Sequence, residues 1–211
     1  GNDLIPREPF SEEDAARFVR LIAEKVKERD MIFHAVGHGW TAACVGISAD
    51  GWKGMDDDLT DRQRGMLAEI GGKRGFFNGI PLNTNLCYSN PAVRERMAEE
   101  VVSYAAAHPE VDVLHLWLAD DSNNVCECAA CAERRFSDWY VMMLNEIDRR
   151  LTALHIRTKI CFLVYLDLYW APETERIRNQ DRFIMMFAPI FRSYAKPYDC
   201  SEAGEPLRYV R

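Results

Sequence analysis

Residues 113–131 of this 211-residue chain read VLHLWLADDSNNVCECAAC and bring two kinds of reactive side chain close together. An apolar run ends in the paired acids Asp120 and Asp121, and Cys126, Cys128 and Cys131 follow within ten residues. A carboxyl group at a strand end can protonate a leaving oxygen. As a carboxylate it can attack a carbon, activate water or stabilise positive charge, and glycoside cleavage needs two such groups. Adjacent strand residues point to opposite faces, so only one of the pair can lead into a site. The plainer reading is that either Asp closes an Asx turn. Asp167, within VYLDLYW at 164–170, offers another acid at the end of the next strand. Tyr169 and Trp170 beside it offer aromatic faces of the kind sugars stack on.

C-x-C-x-x-C places three thiols close enough to hold zinc or an iron–sulfur cluster, or to form a disulfide. Metal sites of this kind usually take a fourth ligand. Cys44, Cys87 and His38 are the candidates, each dependent on how the chain folds. His38 and Trp40, in FHAVGHGW at 33–40, sit just past an apolar run and are candidates to line a sugar site. His34 falls within that run, where a packing role is the simpler expectation.

Other chemistries are poorly served. GGKR at 71–74 lacks the spacing of a phosphate-binding loop, and neither G-x-S-x-G nor H-E-x-x-H occurs. A net charge of −7 argues against nucleic acid, which needs clustered Lys and Arg. No apolar stretch reaches the roughly 18 residues of a membrane span. The seven cysteines are odd in number and unevenly spaced, unlike a disulfide framework. The first residues carry no secretion signal, and Gly1 reads as a processing scar, so the compartment stays undetermined.

The elements that must position these groups alternate. Ser11 reads as the cap of a helix to about Lys27. MIFHAV at 31–36 reads as a buried strand, and Thr60 to Ile70 as a helix ended by Gly71 and Gly72. NLCYS at 85–89 reads as a strand, Asn90-Pro91 as a helix start and VDVLHLWLA at 111–119 as a strand. A helix capped by Ser137 and the strands KICFLVYL (159–166) and RFIMMFA (182–188) complete the series. Near-continuous apolar strands between helices indicate an α/β fold with parallel strands covered on both faces. Five strands are fewer than a closed barrel needs, so the expectation is a partial TIM-type (β/α) barrel. Residues 1–211 read as a single domain, a fragment of a longer protein whose remainder would complete the barrel. Phe191 to Arg211 has no strong pattern.

Three blocks carry a resemblance: GGKR upstream of LCYSNPAV (86–93), DDSNNVCECAAC (120–131) and SDWYVMMLNEI (137–147) with its internal Asn145. In these, roughly from Met31 to Ile190, the chain resembles a bacterial family, domain of unknown function 4838. The resemblance implies a barrel akin to glycoside hydrolases, a role in polysaccharide use and a secreted or cell-envelope setting. It singles out Asp121, His38, Cys87 and the three clustered cysteines. The resulting expectation is a glycoside hydrolase with Asp121, Asp120 and Asp167 as candidate catalytic acids and His38, Trp40, Tyr169 and Trp170 lining the sugar. Such chemistry requires no cofactor, and Cys126, Cys128 and Cys131 would hold a structural zinc. The alternatives are a carbohydrate-binding module without catalysis and a protein built around a metal site.

Overall fold

The structure is a computed structural model that describes residues 11–35, 37–48, 51–56, 58–190 and 193–195. Gly1, Val36, Cys200 and most of the 191–211 segment lie outside the described residues. Helix α1 (Glu12–Lys27) leads to strand β1 (His34–Ala35), then the short helices α2 (Trp40–Cys44) and α3 (Asp61–Met66). A hairpin of β2 (Glu69–Ile70) and β3 (Lys73–Arg74) follows, then α4 (Pro91–Ala107) and β4 (Val113–Leu116). The chain continues through α5 (Ala129–Ala132), α6 (Phe136–Ala153), β5 (Lys159–Val164) and β6 (Phe183–Phe187).

Strands β1, β4, β5 and β6 form one parallel sheet in that order. This is the α/β fold read from the sequence, with the strand order of an unclosed stretch of barrel. Leu114, Leu116, Ile160, Phe162 and Phe183 pack in one core with Val93, Met97 and Val101 of α4 and Met143, Leu144 and Ile147 of α6. Alternation puts His34, His115, Trp117, Cys161 and Ile184 on the other face. No described helix is long and apolar enough to cross a membrane.

The helix starts follow local chemistry where a cap is present. Ser11 Oγ accepts the Asp14 amide at 3.0 Å, and Asn90 accepts the Ala92 amide at 3.0 Å with Pro91 in first position. Ser137 departs from this. Arg135 is the cap of α6, and Ser137 lies buried inside the helix. NLCYS is not a strand of the sheet: Leu86 makes a single antiparallel bridge to Leu67. Its apolar run marks burial: the Asn85 carbonyl and Cys87 amide bond Ala68 and Met66 across that one bridge, and the side chains of Thr84 and Asn85 bond Ile80 O and Asn124 instead of a further strand. The sheet therefore has four strands. The helix read over 60–70 also stops early, at Met66. Leu67 is buried and extended, and Gly71 and Gly72, at φ 57° and 73°, turn the β2–β3 hairpin and do not end the helix.

Candidate functional site

Parallel pairing brings the ends of β1, β4 and β5 side by side, and the candidate acids lie there. Past Leu116, the Trp117 amide still bonds Gly37 O at 3.2 Å, but the chain then leaves the sheet. The Asp120 amide reaches Leu82 O at 3.0 Å. Asp120 Oδ2 accepts the Trp52 indole N–H at 3.0 Å, and Oδ1 accepts the Asp121 amide at 2.8 Å. Asp121 Oδ1 accepts the Ser122 amide at 2.8 Å, and Oδ2 accepts Asn83 Nδ2 at 3.2 Å. The Asn123 amide donates to Asp167 Oδ2 at 2.7 Å, tying the β4 loop to the β5 loop. Asp121 and Asn123 hold left-handed backbone, φ 74° and 58°, which Asp and Asn tolerate better than most residues.

His38 joins this group. Its Nδ1 contacts Leu118 O at 2.8 Å; a carbonyl only accepts, so Nδ1 carries a proton. The ring lies edge-on to Trp117 and Trp52 at 5.1 and 6.1 Å. Burial, followed by the charge of Asp120, raises the Tyr165 phenol above its ordinary pKa. His38 thus meets Trp52 and Trp117, Trp52 meets Asp120, Asp120 meets Asp121, and Asp167 joins through the Asn123 amide. Tyr169 bonds Ala188 O at 2.8 Å and packs on Phe187, in the same turn as Asp167. Trp170 follows that turn and is exposed. Trp40 lies elsewhere: it is 5% exposed in the core, bonds His115 O and offers no face to a sugar.

A cavity of about 910 Å³ opens at the opposite ends of the strands among Lys27, His34, Asp112, Lys159 and Ile184. It gathers no comparable set of acids and aromatics. Active sites in parallel α/β folds form at the strands' carboxyl ends, where the acids are.

The cysteines assemble next to the acid loop. Cys87, Cys126, Cys128 and Cys131 bring their sulfurs within 4.8 Å of one another. Cys87 Sγ is 3.7 Å from Cys128 Sγ and 3.9 Å from Cys131 Sγ. A tetrahedral zinc with Zn–S of about 2.3 Å separates its sulfurs by roughly 3.8 Å, so the spacing fits. Backbone amides and a guanidinium face the sulfurs, although hydrogen bonding among the thiols pushes Cys126 up while it pulls Cys87 down. The Glu69 amide donates to Cys126 Sγ at 3.3 Å and the Ser89 amide to Cys131 Sγ at 3.4 Å. Hydrogen bonding from Cys126 foremost, then Cys131, Ser89 and the Arg74 guanidinium, pulls the Cys87 thiol below its ordinary pKa. Cys44 is buried against Val93 O, and desolvation lifts its thiol to about 12. Of the three candidates for a fourth ligand, the fold brings in Cys87.

Sequence reasoning missed Trp52 as a neighbour of the acids, and the buried amides Asn83, Asn85 and Asn124. An indole and three amides carry no spacing signal, although the run of asparagines on both loops is visible in the sequence.

The fold and site define a parallel α/β domain with an acidic, aromatic-lined loop cluster beside a four-thiol centre. Residues 68–209 match the family model described as Domain of unknown function (DUF4838), and the chain belongs to that family. A search of curated proteins found no match, and a search of solved structures found none.

Proposed function

We propose that the chain forms part of a glycoside hydrolase. The observation that supports this is the run of contacts at the carboxyl ends of parallel strands, from His38 to Trp52, Trp52 to Asp120, Asp120 to Asp121 and the Asn123 amide to Asp167. In this reading Asp121 is the candidate acid or substrate-orienting group, Asp167 its partner and Asp120 the group fixed by Trp52. Aromatic faces hold the sugar. Hydrolysis of aryl glycosides by the protein carrying this chain, lost in Asp121→Asn, is the expected result. Sugar binding that survives Asp121→Asn, with no hydrolysis by either protein, would instead identify a carbohydrate-binding module.

The thiol spacing favours a second, compatible reading: Cys87, Cys126, Cys128 and Cys131 hold a structural zinc. Four thiolates fill a tetrahedral shell and leave no open position for substrate, which suits a structural role. Metal analysis of the purified chain is expected to return one zinc per molecule. Its absence after purification and after zinc addition would remove the reading.

A further inference from the structure

The acid loop is held by side chains, and these lead directly to the thiol centre. Asn124 Nδ2 donates to Asn83 O at 2.8 Å and also to Asp120 O. Asn124 Oδ1 accepts Asn85 Nδ2 at 2.9 Å. Asn85 Oδ1 accepts the Tyr88 hydroxyl at 3.1 Å and the Ala119 amide at 3.4 Å. Asn85 and Asn124 are 1% and 2% exposed, so a broken bond here leaves a buried polar group unpaired. In sequence Asn85 precedes Cys87 by two residues, and Asn124 precedes Cys126 by two. The same two chain segments therefore meet twice, once through amides and once through sulfur. The hairpin adds a third tie, since Glu127 N bonds Glu69 O at 2.7 Å and Gly71 N bonds Glu127 Oε2 at 2.7 Å.

We propose that the four-cysteine centre and the buried asparagines Asn85 and Asn124 form one positioning device, through which metal loading sets the geometry of Asp120 and Asp121. This rests on the reading that the thiols hold zinc. Joining Cys87 to the 126–131 segment fixes the separation at which Asn85 meets Asn124, and Asn124 in turn holds the Asp120 carbonyl. With the metal gone, the sulfur tie is lost and hydrogen bonds hold the two segments: the buried amides, the Asp120 amide on Leu82 O and Asn83 Nδ2 on Asp121. Asn85 and Asn124 act through the loop backbone and need not touch substrate.

The indole N–H signals of the ¹⁵N-labelled chain test this directly, because the tryptophans report separate places. Trp52 donates to Asp120, Trp139 to Cys131 O and Trp40 to His115 O in the core. Removing zinc with a strong chelator is expected to shift Trp52 and Trp139 and leave Trp40 in place. In the zinc-loaded chain, Asn124→Ala is expected to shift Trp52 while Trp139 and the zinc content stay unchanged. A Trp52 signal unmoved by either change overturns the coupling while leaving the metal reading intact. Loss of all three signals on zinc removal also overturns it, in favour of a metal that stabilises the whole fold. A chain that takes up no zinc overturns both readings.

Discussion

The sharpest test of the metal centre is the choice of its fourth ligand. Cys87→Ser removes one of four thiolates, whereas Cys44→Ser removes a buried thiol that faces Val93 O and lies outside the cluster. Structural zinc in small domains is worth about 10–16 kcal/mol, so an equal share per ligand is roughly 2.5–4 kcal/mol. At about 1.4 kcal/mol per decade, Cys87→Ser should weaken zinc binding roughly 60- to 700-fold. The value belongs in the upper part of that range, because Cys87 contacts both Cys128 and Cys131 and its replacement opens the centre of the cluster. Cys44→Ser should leave affinity within about threefold, since nothing in the donor set changes. Competition against a chromophoric zinc chelator measures both at equilibrium. Equal losses in the two variants would refute the ligand set, as would zinc retained at wild-type affinity by Cys87→Ser.

Asp138 has no exposed surface and accepts the Thr174 amide at 2.7 Å, the Thr174 hydroxyl at 3.0 Å and the Glu175 amide at 2.8 Å, pinning the segment between Trp170 and β6 to α6. With charge-assisted bonds at about 1.5–3 kcal/mol each and partial relaxation of the freed segment, Asp138→Ala should cost about 3–5 kcal/mol in denaturant unfolding. A loss below about 1 kcal/mol would show that the segment holds without it. Acidification should destabilise the chain. Hydrogen bonding from Arg149, aided by Arg150, holds Glu146 at about 2 against an ordinary 4.5, so its stabilisation is complete above 4.5 and disappears as pH falls towards 2. Burial raises the Asp138 carboxyl, but amide donors from Glu175, Thr174 and Glu173 outweigh it and hold the pKa below 3.8, extending the same acid-side loss. Zinc should leave over an acid range too, as protons compete for the thiolates. Unfolding midpoints and zinc content followed from pH 7 downward check both, and stability that rose on acidification would reverse the sign argued for the carboxylates.

The sequence made legible what depends on periodicity and local chemistry. Helices α4 and α6, the apolar runs of β4 and β5, and the Asn90-Pro91 start follow from side-chain pattern and capping. The acids stand out because they interrupt an apolar run. The fate of NLCYS was not legible, because a short buried apolar run looks the same whether its backbone pairs along a sheet or makes one isolated bridge. Gly71-Gly72 is equally at home ending a helix or turning a hairpin, and only the pairing of Glu69 with Arg74 decides between them. Cys87 was one of three possible fourth ligands because it lies some 40 residues from Cys128, and the distance closes only in the folded chain. Trp40 looked like sugar-binding surface because a tryptophan near a strand end reads identically whether it faces solvent or the core.

The decisive substitution at the acid loop is Asp121→Asn, for reasons set by its backbone and its partners. At φ 74° alanine is strained by about 1 kcal/mol or more relative to residues that tolerate the left-handed region, and Asn is among those. Alanine also loses the bonds to the Ser122 amide and Asn83 Nδ2. Asparagine keeps an oxygen for Ser122 but turns an amide nitrogen towards Asn83. Asn83 can answer by rotating its own amide, because its Oδ1 is buried with no hydrogen-bond partner. The rotation exchanges one unpaired atom for another, so Asp121→Asn should keep stability within about 1 kcal/mol while Asp121→Ala loses about 2–4 kcal/mol. Chemical denaturation of both variants measures the difference. If Asn costs as much as Ala, the negative charge itself holds the loop, Asp121 is a turn residue and its candidacy as a catalytic acid falls. If Asn folds like the parent, any lost hydrolysis in that variant is a loss of chemistry.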